Sequence, residues 1–405
     1  MSASVTPDSF LTMWEQLRPI GRDPRTNGYR RFAWGSADAQ LREWFAHQAS
    51  ARGLALTEDR MGNQWAWWGD PDSEGPGLVL GSHLDSVPDG GAYDGPLGVV
   101  SALAAVDRLR AAGHRPDRPV AVANFVDEEG ARFGIALAGS RVITGLLDAD
   151  RARGLRDGDG ITMAQAMRAA GKDPELIGPD PETVARIGTY LELHVEQGRA
   201  LVDLGAPVAV GTDIWPHGRW RVDLPGEANH AGTTRLADRR DAVLALADVI
   251  QRTRAAAQDR GALATVGKVR IEPGGVNAIA SAATAWLDAR GANPDAVRGV
   301  IADVSATVQG YDGTVQEESW TPRTAFHPDV VRRMGEVLGG IPTLGTGAGH
   351  DAGVLAQAGI DAGMLFVRNP TGVSHSPAEF ADEADCLAGV EALAAVALDL
   401  TGERR

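Results

Sequence analysis

The stretch GLVLGSHLDSVPDGGAYDG (residues 77–95) decides how this chain folds. It opens with an apolar run between two glycines, which is typical of a short strand buried on both faces of a sheet. His83 follows that strand, and Asp94 comes eleven positions later, after a glycine-rich turn. Imidazole and carboxylate are ligands of cations such as zinc, and Asp85 could bond the other ring nitrogen of His83. Taken alone, the stretch is explained equally well as a surface loop.

A second predicted strand precedes an acidic turn. PVAVANF (residues 119–125) has the pattern of a buried strand, and Asp127, Glu128 and Glu129 follow it directly. Neighbouring side chains at a strand end point in different directions, so one glutamate can bind a metal while the other acts as a general base. The alternative is an ordinary acidic turn exposed to solvent.

Two further strand patterns end near histidines. YLELHVEQG (residues 190–198) alternates polar and apolar residues and carries His194, and MLFVR (residues 364–368) leads into a loop that contains His375. Four predicted strand ends therefore each deliver a histidine, aspartate or glutamate. We interpret these side chains as one metal-binding site.

Six motifs resemble, in order and spacing, those of a known family. They are GSHLDSVPDGGAYDG, FVDEEGARF, LELHVEQG, GEANHAGTT, GAGHDAG and GVSHSP. Together they resemble the M20-type amidohydrolases of the hydantoinase/carbamoylase branch, which includes N-carbamoyl-L-amino acid amidohydrolases, allantoate amidohydrolases and β-ureidopropionases. The resemblance extends from Trp34 to Leu400.

The resemblance implies a site with two divalent metal ions per subunit. It assigns His83 and His194 to one ion, Glu129 and His375 to the other, and makes Asp94 the bridge between them. Zinc is the expected metal, with manganese, cobalt and nickel as alternatives that the same ligands tolerate.

The resemblance also implies catalytic and substrate-binding residues. It makes Glu128 the general base and assigns His230 to the oxyanion, often across a dimer. It assigns Asn277 and Arg290 to the substrate carboxylate, a role that suits a bidentate guanidinium. Gln197 and His350 are expected to make polar contacts to the ureido or amide group. From the residues alone, a turn position for His230 and a rim ion pair for Arg290 are the preferred alternatives.

One stretch departs from part of the family. Where some allantoate-type members carry two arginines, this chain has IWPHGRW (residues 214–220), with Gly218 aligned to one of them and Arg219 kept. A polar contact to the far end of allantoate is therefore in doubt. Arg368 is a candidate for a compensating charge, or alternatively for an ion pair with Asp361 or Glu379.

Composition narrows the class of protein. The formal net charge of the 405 residues is -15, and no basic stripe is present, so nucleic-acid and membrane partners are not expected. The single cysteine, Cys386, excludes an internal disulfide and fits a reducing cytoplasm, where we expect it to be a packing residue. No apolar segment has the length or flanks of a signal peptide or membrane span.

The predicted fold is α/β, with a mixed, mostly parallel central sheet flanked by helices. Helical spacing is found at residues 99–109 and 387–400. Residues 213–327 break the alternation and predict a smaller inserted α+β unit, with strands at 220–224, near 269 and at 284–288, and helices at 241–254 and 294–308. By resemblance, residues 1–212 and 328–405 form the catalytic domain, and the insert is a lid that also joins a homodimer.

Three functions are compatible with these residues. The first is hydrolysis of a ureido C–N bond in a small carboxylate-bearing substrate, an N-carbamoyl-L-amino acid or allantoate. The second keeps the site but acts on N-formyl, N-formimino or N-acyl amino acids, or on dipeptides. The third is a non-catalytic metal-binding protein, which has no need for Glu128. No G-x-S-x-G, HExxH or Walker-type lysine loop is present, so serine-hydrolase and nucleotide chemistry are not expected.

Overall fold

The structure is a computed structural model that describes residues 8–403. The chain divides into two compact units. The larger unit comprises the described residues up to 212, residues 325–344 and those from 349 onward, and the smaller unit comprises residues 213–324 and 345–348.

The regular elements alternate along much of the chain. The strands are β1 (Ala55–Glu58), β2 (Gln64–Trp68), β3 (Gly77–His83), β4 (Val120–Phe125), β5 (Ile187–Val195), β6 (Val208–Ile214), β7 (His217–Pro225), β8 (Asn229–His230), β9 (Leu263–Glu272), β10 (Ala278–Ile279), β11 (Ala282–Arg290), β12 (Thr314–Thr321), β13 (Thr324–Ala325), β14 (Thr343–Thr346) and β15 (Asp361–Val367). The helices are α1 (Asp8–Leu17), α2 (Ser36–Ala51), α3 (Pro71–Glu74), α4 (Pro96–Ala111), α5 (Ala138–Ile143), α6 (Ala149–Gly154), α7 (Met163–Ala169), α8 (Pro181–Ala185), α9 (Ala200–Leu204), α10 (Ala242–Arg260), α11 (Pro294–Gln309), α12 (Pro328–Val337), α13 (Asp351–Gln357) and α14 (Glu383–Thr401).

A nine-stranded mixed sheet forms the centre of the larger unit. Its strand order is β1-β2-β4-β3-β5-β15-β6-β13, and β14 also pairs with β6. The central strands β4, β3, β5 and β15 run parallel, whereas β1, β2 and β6 pair antiparallel with their neighbours. The predicted mixed sheet with a parallel centre is therefore confirmed.

The apolar runs of β3 and β4 are buried at every position, as the sequence predicted. β5 alternates polar and apolar residues, yet its residues are buried except for a half-buried Gly188. Its polar side chains are accommodated by internal hydrogen bonds. Glu192 accepts one from the Ser82 hydroxyl at 2.9 Å and another from the Ala352 N–H at 3.1 Å.

Helices α4 and α14 pack in the main hydrophobic core with the sheet. α4 begins at Pro96, three residues before the predicted start, because a proline fits the first turn of a helix. α14 begins at Glu383, ahead of the predicted segment, and includes the buried Cys386, so its predicted packing role is confirmed.

The smaller unit contains a four-stranded antiparallel sheet with order β12-β7-β11-β9, together with helices α10 and α11 and a core of its own. All three predicted strands and both predicted helices are present, although α10 continues to Arg260 and ends at Gly261 with φ +64°. β12 was not predicted, because its sequence TVQEESWT is polar and largely exposed. No helix in residues 8–403 is long and apolar enough to cross a membrane.

Candidate active site

Ligand-type side chains collect at the carboxyl ends of the parallel strands. His83 is the last residue of β3, residues 126–129 follow β4, and His194 is the penultimate residue of β5. In the sheet His83 lies opposite Phe125, and His194 lies opposite Phe366 of β15. Since parallel strands end at one edge of a sheet, these residues converge there.

Asp94 lies at the centre of this cluster. Its Oδ1 atom is 3.1 Å from His194 Nε2 and 3.7 Å from His83 Nε2. Its Oδ2 atom is 3.3 Å from His375 Nε2, and that nitrogen is 3.7 Å from Glu129 Oε2. Each carboxylate oxygen of Asp94 therefore faces a separate group of ligand atoms.

Three groups among the described residues could hold a metal ion; one consists of Glu192, His194 and His350, and the contacts above define the other two. Of these two, one consists of His83, Asp94 and His194 and is fully buried, and the other consists of Asp94, Glu129 and His375. Within each group the ligand atoms lie within 4.8 Å of one another. The two groups share only Asp94.

Several atoms in the cluster have no hydrogen-bond partner although they are buried. They are Nε2 of His83, Nε2 of His194 and Oε1 of Glu129. The Nδ1 atoms of the two histidines contact backbone carbonyls, of Asp85 at 3.3 Å and of Val195 at 2.9 Å, which leaves each Nε2 lone pair free for a cation. Buried polar atoms are rarely left unpaired, so the donor set fits divalent cations.

The electrostatics of the cluster also favour a cation. Burial raises the pKa of Glu128 well above its ordinary value, and His83 opposes this only in part. Burial and the charge of Asp94 raise the pKa of Glu129 to about 7. Burial works against ionisation of Asp94 as well, but the contacts with His194 and His375 outweigh it and hold its pKa well below the usual range. A bound cation would favour the ionised form of all three carboxylates.

The turn after β3 requires glycine at position 95. Gly95 has φ +85°, and an added Cβ would lie 2.4–2.6 Å from atoms of the His83 ring. A side chain at this position would displace the histidine, so Gly95 lets the chain pass directly beside this candidate ligand.

Glu128 and Glu129 point to different parts of the cluster. Glu128 Oε2 lies 3.6 Å from His83 Nε2, whereas Glu129 Oε2 lies near His375. The buried Asp85 accepts the backbone N–H groups of both glutamates, at 3.2 and 3.1 Å, and its Oδ1 lies 3.4 Å from His83 Nδ1. Because Asp127 and Glu128 are buried, the alternative of a solvated acidic turn is wrong.

His350 and Gln197 also lie at the cluster. The His350 ring centroid is 4.5 Å from that of His194, and neither ring nitrogen of this buried histidine has a hydrogen-bond partner. Burial lowers the pKa of His350 well below its ordinary value, which keeps the ring neutral. Gln197 donates to Asp94 Oδ2 at 2.9 Å, and its amide oxygen has no partner.

His230 and Asn277 are exposed residues of the smaller unit. His230 belongs to β8 and pairs with Ala278 of β10, next to Asn277. Its Nδ1 accepts the N–H of Gly232 at 3.0 Å, so the structure gives His230 a place in a turn.

Arg290 makes an ion pair within the smaller unit. Its Nε and Nη2 atoms donate to the Asp288 carboxylate at 2.8 and 2.7 Å, and Nη1 donates to the Gly347 carbonyl at 2.7 Å. The guanidinium carries five N–H groups, so two are left by these bonds.

Arg368 has a different partner from those expected. It makes a bidentate ion pair with Asp385 of α14, at 2.7 and 2.9 Å, and not with Asp361 or Glu379. Both expected partners were wrong, because the first turn of α14 brings Asp385 to the arginine from seventeen residues away.

The sequence analysis did not place two polar residues at the cluster that the structure places beside Asp94. Ser374 Oγ lies 3.2 Å from Asp94 Oδ2, and the buried Glu379 accepts the backbone N–H of Asp94 at 2.9 Å. Their position beside His375 in the chain was visible, but no spacing rule connects either residue to Asp94.

The chain is similar to characterised proteins over nearly its whole length. The sequence profile of Peptidase family M20/M25/M40 matches residues 79–399. An N-carbamoyl-L-amino acid amidohydrolase from Geobacillus stearothermophilus is 33% identical over 395 residues, which cover 94% of this chain and 96% of that protein. The allantoate amidohydrolase of Escherichia coli is 29% identical over 402 residues, 96% of each chain.

Solved structures agree with these relatives. A hydantoinase/carbamoylase family amidase from Burkholderia multivorans superposes with a TM-score of 0.86 at 26% identity, covering 99% of both chains. The chain therefore belongs to peptidase family M20/M25/M40 and, within it, to the hydantoinase/carbamoylase amidohydrolases, which are hydrolases of non-peptide C–N bonds.

Proposed function

We propose that this protein hydrolyses the ureido C–N bond of a linear substrate that carries a carboxylate, with an N-carbamoyl-L-amino acid as the first candidate and allantoate as the second. The observation that carries the proposal is the position of Asp94, whose two oxygens each face a separate set of candidate ligand atoms. This arrangement suits a carboxylate that bridges two cations.

Five side chains are proposed to hold these cations. His83 and His194 would bind one, Glu129 and His375 would bind the other, and Asp94 would contact both. When bound, two such cations lower the pKa of a water molecule and polarise the carbonyl under attack. Zinc suits the mixed histidine and carboxylate set best, and manganese, cobalt or nickel are compatible with it.

Glu128 is proposed to move the proton. Its carboxylate lies in the cluster beside His83 but outside both ligand groups, so an oxygen stays available as a base. Glu128 takes a proton from the attacking water and then delivers it to the leaving nitrogen. The products are ammonia, carbon dioxide and the free amino acid.

Five further side chains are proposed for substrate binding. His350 and Gln197 suit the ureido group, because the His350 ring nitrogens and the Gln197 amide oxygen are buried without partners. Arg290 and Asn277 bind the substrate carboxylate, for which the two remaining N–H groups of the guanidinium are suited. His230 stabilises the oxyanion, and we propose that it acts in a homodimer joined through the smaller unit.

The edge of the smaller sheet supports this dimer. β9 is an edge strand that exposes Leu263, Val269 and Ile271, and it has the unpaired backbone groups of a sheet edge. A second copy of the chain would cover these apolar side chains. We therefore propose that the smaller unit is a lid and dimerisation domain.

Gly218 favours the carbamoyl amino acid over allantoate. An added Cβ at this position would lie 2.6 Å from the Trp220 ring and 2.7 Å from the Ser319 carbonyl oxygen. An arginine therefore cannot replace Gly218 without moving the neighbouring strand. This chain lacks room for the second arginine that some allantoate-type members carry.

Ammonia release from a small substrate panel tests the proposal. The panel contains several N-carbamoyl-L-amino acids, allantoate and N-carbamoyl-β-alanine, with N-formyl- and N-acetyl-L-glutamate scored by free amine. We expect ammonia from at least one N-carbamoyl-L-amino acid, lost on chelation and restored by a divalent metal. Free amine from a formyl or acyl substrate, with none from the ureido compounds, would keep the site and overturn the proposed specificity.

A further inference from the structure

We propose that Glu379 is a positioning residue for the proposed metal centre, because it accepts the backbone N–H of Asp94 and is separated from the Asp94 side chain only by the Ser374 hydroxyl. The inference rests on the metal centre of the proposed function and adds a residue that binds no ion itself. Glu379 is buried, at 5% exposure, in a loop whose other residues from 371 to 380 are half-buried or exposed.

Glu379 holds the backbone of the bridging ligand. Its Oε1 atom accepts the N–H of Tyr93 at 2.8 Å and the N–H of Asp94 at 2.9 Å. A carboxylate that accepts two consecutive N–H groups fixes the position of that peptide segment. Charge-assisted bonds of this kind are about twice as strong as neutral ones.

Glu379 also reaches the side chain of Asp94 through one intermediary. Ser374 Oγ lies 3.1 Å from Glu379 Oε2 and 3.2 Å from Asp94 Oδ2. The single Ser374 proton can be donated to either oxygen, so the hydroxyl lies between Glu379 and the side chain of Asp94. Ser374 precedes His375, so the connection extends to the loop that carries a second ligand.

The surrounding backbone is shaped to admit this side chain. An added Cβ at Gly91 would lie 2.4 Å from Cβ and Oε1 of Glu379, so any larger residue would push the glutamate away. The Glu379 N–H donates to the Ser376 carbonyl at 3.0 Å, which closes the turn after His375. The 91–94 and 374–379 segments thus meet at Glu379.

The contacts of Glu379 with the Asp94 segment should strengthen metal binding. If Asp94 contacts both ions of the proposed centre, rotation of its side chain would weaken both contacts. By fixing the backbone and one oxygen, Glu379 reduces the conformational freedom that Asp94 would lose when metals bind. Partners that orient a ligand typically change metal affinity by about 10- to 100-fold when they are removed.

The alternative is that Glu379 only stabilises its loop. Asp180 offers a matched control, since it is also buried and accepts two backbone N–H groups, from Thr183 at 3.1 Å and from Arg60 at 3.2 Å. It caps α8, and the two residues whose N–H groups it accepts are not proposed ligands. A loss of stability common to both positions can thereby be separated from an effect on metal affinity.

The test is a titration of metal-free protein with Mn²⁺, measured by equilibrium dialysis, for the wild type, Glu379→Ala and Asp180→Ala. We expect Glu379→Ala to bind Mn²⁺ about 10- to 100-fold more weakly than the wild type, with Asp180→Ala unchanged. Ser374→Ala, which alters no charge and removes no backbone contact, should weaken binding in the same direction and by less. Thermal melting of the metal-free proteins checks that each variant is folded.

The outcomes are distinct. Wild-type affinity in Glu379→Ala, or an equal loss in Asp180→Ala, would overturn the positioning role. If Glu379→Ala does not fold, the positioning role would instead be overturned by wild-type Mn²⁺ affinity in Ser374→Ala. Failure of the wild type to bind Mn²⁺ would overturn the metal centre itself and this inference with it.

Discussion

The Glu128→Gln substitution separates proton transfer from metal binding. The change keeps the size of the side chain and leaves all five proposed ligands in place. Glu128 Oε2 is 3.6 Å from His83 Nε2, beyond hydrogen-bonding distance, so the amide breaks no bond there. We expect the variant to retain the metal content of the wild type and to lose nearly all turnover.

The size of the effect follows from the assigned role. A positioned general base contributes about 10²- to 10⁴-fold to a rate, which corresponds to about 3 to 5 kcal/mol in the barrier. The substitution should not lower the stability of the folded protein. Because burial raises the pKa of Glu128, its ionised form opposes folding in the metal-free protein as the pH rises, and a neutral glutamine removes that cost.

Ammonia release gives kcat, and elemental analysis gives the metal content per chain. Glu129→Gln is the matched control, because the same chemical change at a proposed ligand should lower the metal content together with the rate. Turnover in Glu128→Gln within about threefold of the wild type, with metal bound, would refute the assignment of the base.

Two further predictions follow from individual positions. Gly95→Ala should lower the metal content, because the new Cβ would lie 2.4–2.6 Å from atoms of the His83 ring. Gly113→Ala is the control, since Gly113 has φ +74° and no atom within 4 Å of an added Cβ, so only the backbone is strained. Equal metal loss in both variants would contradict the steric argument. Cys386 should resist a disulfide reagent at pH 8 until the protein unfolds, since burial raises the pKa of its thiol to about 12 and leaves about one molecule in 10⁴ ionised. Labelling of the folded protein within minutes would contradict this.

The sequence predicts the site best where a buried strand leads directly into a candidate ligand residue. The apolar runs of β3 and β4 are explained by burial on both faces of the sheet. The run of β3 leads to His83, and the run of β4 leads to the acidic turn. Parallel strands that end at one edge bring such residues together regardless of the loops between them. The central sheet and the convergence of the candidate ligand residues were therefore predictable.

Other features depend on contacts that no local pattern records. The exposed strand β12 is polar, so its pairing with β7 has no hydrophobic signature. Arg368 pairs with Asp385 because α14 begins at Glu383, four residues before the helical segment predicted at 387–400. Asp385 therefore lies in the first turn of the helix. Glu379 and Asp94 are 285 residues apart, and their hydrogen bond exists only in the folded chain.

The acidic charge of the chain bears on how substrates reach the site. With a net charge of -15, the protein as a whole repels anions. A carboxylate-bearing substrate must then be bound by local positive charge, which the proposed metal ions and Arg290 would supply. Affinity for such a substrate should consequently fall more steeply on metal removal than affinity for a neutral analogue.

The stoichiometry of metal against activity tests the central claim most directly. Metal-free protein is titrated with Mn²⁺, and bound ions per chain are measured alongside ammonia release from an N-carbamoyl-L-amino acid. The account predicts that activity rises to its maximum only as the content approaches two ions per chain. Full activity with one ion, or ammonia release that survives complete metal removal, would contradict it.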